Sequence, residues 1–209
     1  RTGLTEAAAR EKGMDVVSVT GALDDKAHYY PGAGNFLLKL VAEKGTNRFL
    51  GVQVLGGGEV DKVVDICVMA IAMKATLHDK ENLDFAYAPP FSTAIHPLVA
   101  AVNILLNKIS GELDSISPAE YQAGAAEGYQ VIDVSKAPAI EGVPYFDVKN
   151  IRDGLPGIDK DAKLLLDIAE QKIFDIRQGR TTQGPQRIDG IIIDTFDSLQ
   201  QISGDDKQA

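Results

Sequence analysis

The spacing of apolar and polar positions assigns elements to most of the first 110 residues. Thr5 precedes "EAAAREK", a run of strong helix formers, and Gly13 follows it, which predicts a short capped helix. "DVVSVTGA" is rich in β-branched residues and reads as a strand. Two further strand-like runs, "NFLLKLVAE" and "RFLGVQVLG", flank "KGTN", whose turn chemistry predicts an antiparallel hairpin. "GGG" at 56–58 breaks the second run. A helix is predicted over about 60–75, with Val63, Val64, Cys67, Val68, Ile71 and Ala72 on one broad apolar face. "TLHDKENLDFAYAPP" reads as a turn or short helix and then an extended approach to two prolines. "PLVAAVNILLNKIS" (97–110) is a mostly apolar helix with Pro97 in the tolerated first turn and Gly111 at its end. Strand, hairpin, helix, helix is an α+β order rather than regular βαβ alternation.

From 111 to 122 the chain turns polar and proline-containing, which marks a boundary. Ser117, Pro118 and Glu120 spell a capped helix start. "YQVIDV" then reads as a buried strand, and "APAIEGVPYFDV" holds a second short extended run. "DKDAKLLLDIAEQKIFDIRQG" reads as helical in its second half, "GPQRIDGIIIDTF" contains one more strand, and "SGDDKQA" is a polar tail. There is no internal repeat.

Composition narrows the classes. The 209 residues are 44% hydrophobic with a formal charge of −9, a globular balance whose sign repels nucleic-acid phosphates and anionic membranes. The longest apolar run, "VVDICVMAIAMKA", is interrupted by charge and too short to span a bilayer. One cysteine, Cys67, rules out an intrachain disulfide and is compatible with a cytoplasmic setting. Three histidines and that cysteine make a structural zinc site an unsuitable reading. The sequence contains no GxGxxG after a strand, no Walker-type loop, no HExxH and no GxSxG. It opens on Arg1 in mid-pattern, which suggests a piece of a longer protein or a processed chain.

Two stretches draw the eye, "AHYYPG" (27–32) and "AYAPPFS" (86–92). Both set tyrosine beside proline in a chain with few aromatics. Prolines restrict the backbone, so such phenols are either donors aimed at a ligand or anchors that fill space. Cys67 belongs to an apolar helix face and reads as core; Asp61, Lys62 and Asp65 read as a solvated helix start.

Resemblance adds what spacing cannot. "LTEAAAREKGMDVVSVTGALDDKAHYYPG", "RFLGVQVLGGGEVDKVVDICVMAIAMKATL" and "LDFAYAPPFSTAIHPL" together resemble the C-terminal dimerisation domain of pyridine nucleotide-disulfide oxidoreductases. Within that family they resemble the coenzyme A-disulfide reductase, NADH oxidase and NADH peroxidase group. The resemblance implies a dimerisation domain over 1–112, with an antiparallel sheet flanked by helices. It further implies FAD and NAD(P)H as cofactors of the complete enzyme, none of them expected to be bound by this fragment alone. A homodimer is implied as well, with a coenzyme A thiol or disulfide at its interface. By position in the two motifs, Tyr29 and Tyr87 correspond to the tyrosines that reach the partner's reactive cysteine and its bound thiol. Tyr30 reads as structural. His96 follows the second motif but lacks the glutamate that orients the catalytic histidine of glutathione reductases, so no catalytic role is implied; His28 reads as a surface residue.

The second unit, over 117–209, resembles the opening of a rhodanese-like domain through "ISPAEYQAGAAEGYQVIDV", "GVPYFDV" and "LPGIDKDAKLLL", a match that ends near 166. An active rhodanese would carry a cysteine after the last of these strands. The sequence reads "LLLDIAEQK" with no cysteine beyond it, so a degenerate interaction module is expected. The resulting expectation is a fragment of a flavin-dependent NAD(P)H oxidoreductase acting on a disulfide, persulfide, peroxide or oxygen. The rival expectation is a stand-alone module that binds a coenzyme A-like thiol or a partner protein.

Overall fold

A computed structural model describes residues 1–134, 138, 140–147, 149, 151, 154–159, 161–167 and 188–192. The chain divides into two units, Arg1–Leu113 and Asp114–Ala209.

Unit 1 is built on a four-stranded antiparallel sheet of order β1-β4-β3-β2. Its strands are β1 (Thr2–Gly3), β2 (Val16–Asp24), β3 (Asn35–Glu43) and β4 (Phe49–Gly56). The hairpin read from "KGTN" is present, with Gly45 and Asn47 taking the positive φ angles that turn the chain. Thr5 caps α1 (Glu6–Glu11) by accepting from the Ala8 N–H at 3.1 Å, and Gly13 is left-handed just past its end. His96 caps α3 (Pro97–Ser110), which ends on left-handed Gly111.

Strand β3 shows why the sheet must be covered on both faces. Phe36, Leu38, Leu40 and Ala42 point to one side, where they join Phe49, Val52, Val63, Cys67, Leu77, Leu98, Val102 and Leu105 in the main core. Val41 points to the other side with Val16 and Leu50, and Ala9 of α1 covers them. Each fully buried leucine here contributes roughly 2–3 kcal/mol of transfer free energy. β1 was not legible from pattern: it is two residues long and lies so close to β4 that a Cβ on Gly3 or Gly51 would meet backbone.

Helix α2 (Val60–Ala72) departs from expectation in two ways. It stops short of 75, because Lys74 turns left-handed and the Ala75 N–H returns to the Ala70 carbonyl. Its buried stripe is Val63, Cys67 and Ala70, whereas Val68 and Ala72, assigned to the inner face, are exposed. Apolar residues occupy most of the circumference of α2, so periodicity alone does not select a face. Packing against β4 selects it, because Cys67 and Ala70 are small enough to let the helix sit close.

Unit 2 carries α4 (Pro118–Gln122) and a three-stranded parallel sheet of order β5-β6-β7, formed by Tyr129–Asp133, Lys163–Asp167 and Ile188–Ile192. The capping box is realised: the Ser117 N–H donates to Glu120 Oε2 at 2.6 Å, and the Glu120 N–H donates to Ser117 Oγ at 3.2 Å. Ile132, Val134, Leu155, Leu164 and Leu165 are buried. The helix expected after 167 and the polar tail lie outside the described residues. No helix among the described residues is long and apolar enough to cross a membrane, and no cluster among them could hold a metal ion.

Candidate functional site

Two loops of unit 1 carry the tyrosine motifs. The first, 25–34, joins β2 to β3 and is closed at its base. The Asp25 N–H donates to the Gly34 carbonyl at 2.9 Å, and the Gly34 N–H donates back to Asp25 Oδ1 at 2.8 Å. Inside this pinch the Tyr30 N–H donates to the Ala27 carbonyl and the Ala33 N–H to the Tyr30 carbonyl, with Pro31 and left-handed Gly32 completing the turns. Residues 28–34 are exposed while Asp25 and Ala27 are buried. His28 stands edge-on to Tyr29, with ring centroids 5.5 Å apart at 81°.

The second loop leads from the end of α2 to α3. Ala88 accepts from the Phe91 and Ser92 N–H groups at 2.9 and 3.2 Å, so the chain folds into a tight turn at the two prolines. Its foot is His96, which is buried against the Phe85 ring at a centroid distance of 4.4 Å. His96 Nδ1 accepts from the Leu98 N–H at 3.2 Å. That bond puts the proton of the neutral ring on Nε2. Burial first, and the positive charge of Lys62 second, push His96 down to about 4. In this position His96 is a neutral, buried cap of α3.

The structure brings Tyr29 and Tyr87 together. The Tyr29 phenol lies near enough to hold the Tyr87 phenol above its ordinary range, by hydrogen bonding first, then desolvation, then the charge Tyr29 would carry if ionised. A hydrogen bond raises a phenol when the protonated form makes it, so Tyr87 keeps its proton throughout the neutral range. Both rings nevertheless face outward, Tyr29 being 67% and Tyr87 48% exposed. Beside them Phe91 and Ile95 are 61% and 58% exposed. Two phenols and two large apolar side chains on stiffened loops form a surface with an apolar body and a polar centre.

Sequence reasoning missed the residue at the base of both loops. Asp25 lines a shallow recess with Lys62, Phe91, Ser92 and His96. Its signal was an acidic residue at the mouth of a loop that closes on glycine, a pattern too short to stand out. The "GGG" stretch also gains a role: a Cβ on Gly58 would lie 2.7 Å from Asp25 Oδ2, so glycine there admits the carboxylate. Cys67, in contrast, is fully buried, and desolvation pushes its thiol up to about 12.

Unit 1 is similar to known proteins. Residues 1–99 match the family profile described as pyridine nucleotide-disulphide oxidoreductase, dimerisation domain. Over 105 residues the chain is 39% identical to the NAD(P)H sulfur oxidoreductase (CoA-dependent) of Pyrococcus furiosus, covering 50% of this chain and 24% of that protein. Two solved structures match nearly the whole chain. The NAD-dependent persulfide reductase of A. fulgidus aligns at 30% identity and a TM-score of 0.76, over 91% of this chain and 35% of that one. Reduced CoADR-RHD of Bacillus anthracis aligns at 25% identity and a TM-score of 0.78, over 92% and 35% respectively. The chain therefore spans about a quarter of that sequence relative and about a third of those structures.

Proposed function

We propose, from the premise that residues 1–99 match a pyridine nucleotide-disulphide oxidoreductase dimerisation domain, that unit 1 lends a pair of phenols to a pocket completed by a second copy of the protein. The observation that carries this reading is that Tyr29 and Tyr87, near enough for the first to raise the second, are both turned outward on two proline-stiffened loops. A pair built only to fill space would bury its rings. An exposed pair, with Phe91 and Ile95 also exposed on the second loop, suits a surface that another chain covers.

The reaction we propose is reduction of a sulfur–sulfur bond, in a disulfide or persulfide, by the complete protein. When a thiolate attacks such a bond, a new S–S bond forms, the old one breaks, and the departing sulfur takes the electron pair as thiolate. A phenol beside it stabilises that charge by donating a hydrogen bond or its proton. Tyr87 and Tyr29 would serve this role for the partner subunit, and the thiol held there would be of coenzyme A type. The proline-restricted backbone leaves little entropy to lose when the phenols engage.

FAD and NAD(P)H belong to this proposal as cofactors of the complete protein. We derive no step through either cofactor. Unit 2 is proposed as a degenerate rhodanese-like module over 117–209, consistent with a chain that has no cysteine after Cys67.

Light scattering coupled to size exclusion tests the interface. At micromolar concentration the chain is expected to run as a dimer, and Phe91→Asp with Ile95→Asp is expected to yield a folded monomer. A wild-type chain that stays monomeric at those concentrations would overturn the shared-pocket reading.

A further inference from the structure

Helices α2 and α3 are joined by residues 73–96, a connection with no helix or strand of its own among the described residues. A connection this long is ordinarily either functional or disordered. Its first part is tied down: Leu77 is fully buried, its N–H donates to the Asn47 carbonyl at 2.8 Å, and the Lys80 N–H donates to the Leu77 carbonyl at 2.9 Å. Residues 84–87, which end on Tyr87, differ. Their backbone makes no hydrogen bond among the described residues, and all but Phe85 are exposed. Helix α3 holds this run from two sides. Asn103 Nδ2 donates to the Glu81 carbonyl at 3.0 Å, on the turn before the run, and to the Val99 carbonyl of its own helix at 2.9 Å. An amide nitrogen carries two hydrogens, so both are used; the bond to Val99 fixes the amide and aims the other hydrogen across to Glu81. Phe85 sets its ring against His96, the cap of α3, at a centroid distance of 4.4 Å. Beyond Tyr87 the turn at Ala88 brings the chain back to the same cap.

We propose that Asn103 is a positioning residue: its amide clasps the turn at Glu81 to α3 and, with the Phe85–His96 contact, holds the second loop closed, so that Tyr87, Phe91 and Ile95 stand in place before a second copy of the chain arrives. A loop already held in its bound shape has less freedom to lose on association. The second copy rests on the function proposed above; the clasp does not.

Hydrogen exchange in the full chain, read by mass spectrometry on peptides covering 86–95 and β3, tests the clasp. It is run in the Phe91→Asp with Ile95→Asp background, checked as monomeric by light scattering, so that a covering copy protects nothing. Asn103→Ala is expected to speed exchange over 86–95, where two N–H groups donate to the Ala88 carbonyl, by about tenfold or more, and to leave β3 unchanged. Asn103→Asp keeps the size but has no hydrogen to donate at neutral pH, and is expected to match Asn103→Ala. Phe85→Ala should speed the same peptides. A residue that only stabilised the fold as a whole would quicken β3 and leave the locally opening loop as it was. That pattern overturns the proposal, as does unchanged exchange over 86–95 in Asn103→Asp. Should Asn103→Ala fail to fold, Asn103→Asp and Phe85→Ala decide. In the wild-type background Asn103→Ala is expected to raise the dimer dissociation constant about tenfold. A loosened loop with an unchanged constant would overturn the role in presentation. A wild-type chain that stays monomeric would overturn the function proposed above, and the exchange result would still decide the clasp.

Discussion

Tyr29 and Tyr87 lie on loops separated in the chain by β3, β4 and α2, yet the Tyr29 phenol is near enough to hold the Tyr87 phenol above its ordinary range. Neither ring is withdrawn into the core. The pair therefore behaves as one proton-bearing unit presented outward, and substitutions in it should not add.

Tyr87→Phe in the complete protein is expected to lower turnover of a persulfide or disulfide substrate at least tenfold. The loss stays below the roughly 10²–10⁴-fold worth of a whole acid–base group because Tyr29 remains. The double variant with Tyr29→Phe should lose less than the product of the two single losses. Steady-state kinetics of the four proteins checks this, with dimer mass measured alongside. Wild-type turnover in the double variant would reduce both phenols to packing.

Glu6 supplies an acid-sensitive contribution to stability. Its Oε1 accepts from Arg10 Nη2 at 2.7 Å, and its Oε2 accepts from Ser18 Oγ at 2.8 Å and from Lys39 Nζ at 2.9 Å. Burial pushes this carboxyl up, but the Lys39 charge and the hydrogen bonds from Lys39, Arg10 and Ser18 outweigh it and hold the group at about 2. A carboxylate with a depressed folded pKa stabilises fully above its unfolded value, 4.5, and loses that stabilisation as pH falls toward 2. Glu6→Ala should cost about 3 kcal/mol at pH 7, because Lys39 is left half-buried without its partner. The deficit should shrink as pH falls below 4.5, which urea denaturation at a series of pH values would detect.

His96 acts in the same direction through the opposite charge. A base whose folded pKa is depressed takes its proton first in the unfolded chain. Stability is therefore greatest above 6.5, the ordinary histidine value, and declines as pH falls toward about 4. Asn at this position keeps a capping oxygen and does not titrate. His96→Asn should flatten the denaturation midpoint between pH 7 and pH 5, where the wild type slopes. An unchanged slope would assign the dependence to other groups.

Cys67 should be chemically silent in the native state. Its thiol is buried in the main core and held at about 12, so almost no thiolate exists at neutral pH. A thiol reagent is expected to label it only on the timescale of unfolding. Cys67→Ser should cost about 1–3 kcal/mol, the penalty for an unpaired hydroxyl in an apolar site. Rapid native-state labelling would show that α2 opens locally.

Much of this protein is written in local signals, and those parts were legible in the sequence. Turn chemistry at Gly45–Asn47, the Thr5 and Ser117 caps, Pro97 and Gly111 at the ends of α3, and the alternation along β3 each act within a few residues. They predict elements and an antiparallel sheet without any knowledge of the rest of the chain. The motif tyrosines could be named from the sequence, but not that their phenols come near one another. Contacts between distant segments were decided by packing: the face of α2 that is buried, the Lys39 ammonium set against Glu6, and Asp25 set against Gly58. In each case several side chains satisfied the local pattern equally, and only the shape of the neighbouring sheet or loop separated them. α2 is the plainest instance, since a helix apolar around most of its circumference has no preferred inner face until small residues such as Cys67 and Ala70 meet β4.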